Sequence, residues 1–168
     1  ANPGRQNRSA FGSLSPDGSH LVYVDSYNMF VQDCQTMQTS QLTTDGEKYY
    51  AYTGGDMMGI RFDVRPERTI PRIMWAADNE HFYLFREDVR KVGMQSIIDT
   101  FSDTLAVKSE KYQWTGSNVP QWELLIFNAR SGEKQQVDIS RWEDQIVVAL
   151  DARDHKSAGD TYIFFTRS

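Results

Sequence analysis

An all-β fold of repeated, antiparallel, roughly four-stranded units is what this 168-residue sequence predicts, on three observations. Short runs alternate in character with a period of two, as in His20 to Val24 (HLVYV). That is the spacing of a strand whose two faces meet different surroundings. Aromatic residues make up 12% of the chain and gather mostly in such runs, where they pack well on a pleated surface. The pattern also recurs along the chain at fixed offsets, and internal repetition outweighs any single motif.

The elements follow in order. Phe11 to Leu14 leads into Ser15-Pro16-Asp17-Gly18, a turn in which proline presets φ and glycine supplies a positive one. Strands are predicted near 11–14, 20–25 and 28–33, with Ser40 to Thr43 a weak fourth closed by Thr44-Asp45-Gly46. A shift of 61 lays Leu14–His20 on Trp75–His81, so that Asp17 meets Asp78, Gly18 meets Asn79 and His20 meets His81. Asparagine is the natural stand-in for glycine where the backbone is left-handed. A shift of 95 lays Asn28–Asp33 on Glu123–Asn128. The offsets 61 and 95 differ by 34, so the second unit carries an insertion of that size within 87–121. Further strands are expected near 69–75, 81–86, 122–128, 135–139, 146–150 and 161–167, with a turn through Asp151 to Asp160.

Four-stranded units that bury their faces on one another are the blades of a β-propeller, which takes about four or more. About two and a half are present here: blade one at about 8–46, blade two at about 69–139 with its insertion, and the start of a third at about 145–168. The chain therefore reads as a fragment of one propeller domain. An open set of blades leaves an uncovered face at each end, which favours a homo-oligomer. Two long segments, 47–68 and 87–121, lie outside the blades; loops beyond about 12–15 residues are usually functional or disordered, so these are where function is sought.

Composition narrows the chemistry. The net charge is -5 and no Lys/Arg cluster stands out, so a nucleic-acid partner, which requires a basic stripe, is not expected. No apolar run approaches the ~20 residues of a membrane span, and no signal-peptide pattern opens the sequence. Cys34 is the single cysteine, so no internal disulfide and no cysteine zinc site can form, and it reads as a half-buried residue just past a strand. No G-x-S-x-G pentapeptide, the elbow that presents a hydrolase serine, occurs. His20 and His81 hold equivalent repeat positions and read as structural, while His155 reads as part of a hairpin loop. Gly54-Gly55 lacks the lysine and hydroxyl of a phosphate loop and reads as a bend. The four tryptophans, Trp75, Trp114, Trp122 and Trp142, read as blade-packing residues, Trp114 in the insertion being the one that could be exposed. No cofactor, metal site or catalytic residue is expected.

Taken together, Ser15-Pro-Asp-Gly18 before HLVYV, the strand NMFVQD, Gln41-Leu-Thr-Thr-Asp-Gly46, Met74-Trp75-Ala-Ala-Asp-Asn79 before HFYLFR, and Tyr112…Asn118-Val-Pro120…Leu124-Leu-Ile-Phe127 resemble a known family. They look like the propeller domain of dipeptidyl peptidase IV and its relatives among the prolyl oligopeptidases, and the style of the sequence suggests a bacterial member. The resemblance implies a serine peptidase whose α/β-hydrolase domain lies outside this chain, and a propeller that gates and binds peptide substrate. It implies a periplasmic or extracellular location. In the family's dipeptidyl peptidases a pair of glutamates binds the substrate's free amino terminus, since an ammonium offers three donors and a full charge. The corresponding stretch here, Phe62-Asp63-Val64-Arg65-Pro66-Glu67, lacks the double glutamate. Asp63 and Glu67 are the carboxylates available to replace it, with Arg65 opposing an ammonium, and Asp63, Glu67 and Arg68 are the expected substrate contacts. The alternative is part of an interaction propeller of the TolB or WD40 type that binds protein partners.

Overall fold

The computed structural model describes residues 7–9, 12–53, 68–99, 106–142, 147–155 and 160–167. Its first sheet comprises β1 (Asn7–Ser9), β2 (Gly12–Leu14), β3 (His20–Asp25), β4 (Asn28–Asp33) and β5 (Thr39–Gln41), antiparallel neighbours in chain order. The second begins with β6 (Met74–Trp75) and β7 (His81–Asp88). After β7 the chain leaves the sheet to form a separate hairpin, β8 (Met94–Asp99) and β9 (Ala106–Lys111), then returns as β10 (Gln121–Asn128) beside β7 and β11 (Lys134–Val137) on the outside. β12 (Val147–His155) and β13 (Asp160–Arg167) pair as a further hairpin. The described residues hold one helical element, a single 3-10 turn at Ser140–Trp142. The fold is thus a partial β-propeller.

The repeat is visible bond by bond. Ser15 N–H donates to the His20 carbonyl at 2.8 Å, and Ala76 N–H donates to that of His81 at 2.8 Å. Cys34 N–H reaches the Ser19 carbonyl at 2.8 Å, as Ala129 N–H reaches that of Glu80 at 2.7 Å. Gly18 and Asn79 are both left-handed, with φ of 78° and 64°, the substitution the first offset predicts. The two turns touch, for Asp17 N–H donates to Asn79 Oδ1 at 3.1 Å. His81 has Asp78 Oδ2 and Asn128 Nδ2 as its partners, and His20 has Ser19 Oγ. Both rings therefore anchor turns.

Burial follows the same translation. Val22, Val24, Met29 and Val31 turn one face of sheet one onto Phe82, Leu84, Leu125 and Phe127 of sheet two. The offset counterparts of those four sheet-one residues are Tyr83, Phe85, Leu124 and Ile126, and they gather on the far face of sheet two with Ile139 and Trp122. β7 is therefore buried on both sides, which is why its sequence shows little alternation. Phe82 stacks on Phe127 at 5.3 Å, and Trp75 donates its indole N–H to Ser13 Oγ in sheet one at 3.1 Å. Trp114 is exposed.

Several elements differ from expectation. The strand expected over 69–75 shrinks to Met74–Trp75 and an isolated Val24–Thr69 bridge. Pro71 has no N–H to give a ladder, and Arg72 N–H goes instead to the Thr53 carbonyl at 2.9 Å. β7 runs on through Glu87 and Asp88, which pair with Trp122 and Gln121. β1 was not anticipated, nor was the β8–β9 hairpin, whose strands mix charged and apolar residues. β12 continues to His155 across an irregularity between Ala149 and Asp151, where a turn was expected, so His155 closes a strand opposite Asp160. Cys34 sits half-buried just beyond β4.

Candidate functional site

The two long segments outside the sheets begin and end near one another. Segment 89–120 leaves β7 after Asp88 and returns at Gln121, directly opposite it in the ladder. The connection between the sheets is pinned on either side of 54–67: Arg72 N–H bonds the Thr53 carbonyl, and Thr69 and Val24 exchange both backbone hydrogen bonds, at 2.8 and 3.0 Å. Val24 and Phe85 are offset counterparts, so these roots share one end of the stacked sheets. A cluster of charged and aromatic side chains fills the rim of the space between the sheets there.

Arg86 is its centre. It ends the HFYLFR run on the face turned toward sheet one and is 3% exposed. Its Nε and Nη2 both lie 2.6 Å from Oε2 of Glu123, the residue directly across the ladder, and its Nη1 reaches Asp45 Oδ2 at 3.0 Å. Nη2 also donates to the Tyr50 hydroxyl. The guanidinium lies 3.8 Å from the Tyr50 ring centre and 4.4 Å from that of Tyr52. Arg90 lies over Tyr50 as well, at 3.8 Å. Two guanidinium groups therefore share the Tyr50 ring. The result is a column of cation–ring contacts, Arg90–Tyr50–Arg86–Tyr52.

The hydroxyls complete the network. Tyr50 donates to Glu123 Oε1 at 2.9 Å and Tyr52 donates to Asp45 Oδ1 at 2.6 Å, while Lys134 Nζ donates to the Tyr52 hydroxyl at 3.2 Å. Arg90 joins the two segments directly, pairing with Glu47 at 2.7 Å and with Asp88 at 2.6 Å. Val89 N–H donates to the Tyr49 carbonyl at 3.0 Å. Buried Lys111 of β9 donates to the carbonyls of Arg90 and Val92, each at 2.7 Å.

Protonation follows from these contacts. Burial raises the Asp45 carboxyl, but hydrogen bonds from Tyr52 and Arg86 and the charges of Arg86 and Lys134 outweigh it and bring it down to about 2. Burial, then donation to Glu123, pushes Tyr50 up to about 12; burial and donation to Asp45 push Tyr52 higher still. For Arg86, burial works against the charge, and the bonds to Asp45 and Glu123 more than offset it. Every nitrogen of Arg86 already has an acceptor within the cluster. Among the described residues no group of His, Cys, Asp and Glu could hold a metal ion.

Of the substrate contacts expected from sequence, Asp63 and Glu67 lie outside the described residues. Arg68 is exposed, its guanidinium 3.6 Å over the Tyr23 ring, on the face of sheet one that turns away from sheet two. It does not join the Arg86 column. The column was missed in the sequence; its signals are the tyrosines at 49, 50 and 52 and an arginine ending an otherwise apolar strand.

Stacked antiparallel sheets whose contacts repeat at fixed offsets along the chain, with two long segments rooted at one end, define a partial β-propeller. Residues 2–155 match the family described as Dipeptidyl peptidase IV N-terminal region, and the chain belongs to it. Among solved structures, the crystal structure of Porphyromonas gingivalis dipeptidyl peptidase 4 is similar, with a TM-score of 0.64 at 21% identity. The match covers 80% of this chain and 19% of that one, so this chain spans less than a fifth of that protein's length. No curated protein matches the sequence. No helix of the described residues is long and apolar enough to cross a membrane.

Proposed function

We propose that this chain is the non-catalytic propeller portion of a dipeptidyl-peptidase-IV-like serine peptidase, which admits and holds peptide substrate for an α/β-hydrolase domain outside this sequence. The observation that carries this is the family match over 2–155 together with the meeting of both long segments at one end of the sheets. A ligand presented there meets loops from two blades at once, held on a rigid scaffold. Recognition is assigned to 47–68 and 87–121, with Asp63, Glu67 and Arg68 as contacts; the carboxylates would take a substrate's amino terminus. Placement outside the cytoplasm and self-association through open sheet faces belong to the same proposal.

The test combines two measurements on the purified chain. A Gly-Pro dipeptide titrated calorimetrically is expected to bind saturably, while an X-Pro chromogenic substrate is not turned over and a fluorophosphonate labels no serine, because no elbow presents one. Turnover or labelling above a heat-denatured control, or the absence of saturable binding, overturns the proposal.

A further inference from the structure

Arg86 and Glu123 are not required by the blade itself. Their offset counterparts in sheet one are Asp25 and Asn28, which pair in the same ladder position and make no such column. The arginine appears in the sheet from which segment 89–120 departs, and its column runs into both inserted segments: Asp45, Tyr50 and Tyr52 belong to the connection between the sheets, Arg90 to the insertion. Tyr50 is the shared ring, over which both a guanidinium from β7 and one from the insertion lie. Glu47–Arg90 and Tyr49–Val89 tie the same two roots by a second route.

We infer that Arg86 is a positioning residue which, through the Tyr50 ring, holds the roots of the two inserted segments as one unit, so that the contacts each offers a peptide keep a fixed mutual geometry. The chemistry demands arginine. A flat cation fills the gap between two rings and forks to two carboxylates at once, whereas a lysine ammonium is a compact point charge that can do neither together. The inference rests on the proposed peptide-binding role for its functional consequence, but the coupling stands on the geometry alone.

Hydrogen–deuterium exchange on the whole chain reads the coupling, and dipeptide titration reads the consequence. In Arg86→Met, exchange at 47–53 and at 89–92 is expected to rise together, by about tenfold or more, while β3 and β4 keep their protection. Arg86→Lys is expected to lose protection at both roots in the same way. Tyr50→Leu, which leaves Arg86, Asp45 and Tyr52 in place, is expected to free 89–92 while the Tyr52 N–H bond to the Tyr27 carbonyl stays protected; it also decides the matter if Arg86→Met fails to fold. Loosening of one root only in Arg86→Met, full protection in Arg86→Lys, or no change at 89–92 in Tyr50→Leu overturns the coupling. Gly-Pro dipeptide affinity is expected to fall about tenfold in Arg86→Lys, the partner geometry being lost. Unchanged affinity in that variant overturns the positioning role, whereas failure of the unaltered chain to bind dipeptide refutes the proposed function and leaves the exchange result intact.

Discussion

Replacing Met37 by glycine should stabilise the protein, because the repeat shows what that position requires. Met37 is left-handed, with φ of 58°, and its counterpart 95 residues on is Gly132, with φ of 75°. The turns are otherwise the same. Met37 N–H bonds the Asp33 carbonyl at 2.8 Å and Gly132 N–H that of Asn128 at 2.9 Å, and Asp33 and Asn128 each cap the turn through their side-chain oxygens. A left-handed residue with a Cβ costs about 1–2 kcal/mol. Glycine returns about 0.5–1 kcal/mol of that through the extra freedom of the unfolded chain. Met37 is 66% exposed, so little packing is lost. The net expectation is a gain of about 0.5 kcal/mol, and conversely Gly132→Ala should cost about 0.5–1 kcal/mol, since a Cβ there meets nothing closer than Leu42 Cδ2 at 3.7 Å and the penalty is conformational. Denaturant titration at unchanged m-value measures both. A destabilised Met37→Gly, or a Gly132→Ala indistinguishable from the unaltered protein, would refute the equivalence of the two turns.

Acid should loosen the rim cluster. Asp45 falls from the usual 3.8 to about 2 in the folded chain, so its contribution is complete above about pH 4 and is lost as pH drops toward 2; with its side chain half-exposed that is about 1 kcal/mol, and Asp45→Asn should flatten the stability profile in that window. Alkali acts in the opposite sense. Tyr50 titrates near 12 and Tyr52 above it, so stability is full below pH 10 and declines above it as the unfolded chain ionises first; spectrophotometric titration should show at least two tyrosines ionising late, and none doing so would contradict the network. Gly46→Ala should cost more than about 1 kcal/mol, because a Cβ would come within 2.2 Å of the Tyr27 carbonyl oxygen; a neutral result by thermal unfolding would mean that the backbone yields there.

What was legible in the sequence was whatever repeats or alternates. Asn79 could be assigned to a left-handed turn because Gly18 stands one offset away, and β3, β4 and β10 could be bounded because turn residues flank them. β6 was overextended because Ile70 and Ile73 continue an apolar run while Pro71 removes the hydrogen bond that would make it a strand. The Arg86 column left no comparable trace. Its members lie 36, 41 and 37 positions from Arg86 in the case of Tyr50, Asp45 and Glu123, and contacts between polar side chains at such separations follow no period. The β8–β9 hairpin was hidden for a related reason: its strands interleave charged and apolar residues, and Met94, Ile98 and Val107 are exposed.

The claim that this propeller fragment recognises peptide at the end where its two inserted segments meet is tested most directly by NMR titration of the chain with a Gly-Pro dipeptide. Saturable amide shifts are expected at 45–53, 68–72, 86–93 and 118–123, with β1, β2 and β5 unmoved. Shifts concentrated on those distant strands or on the β12–β13 hairpin, or no shifts at any dipeptide concentration, would contradict it.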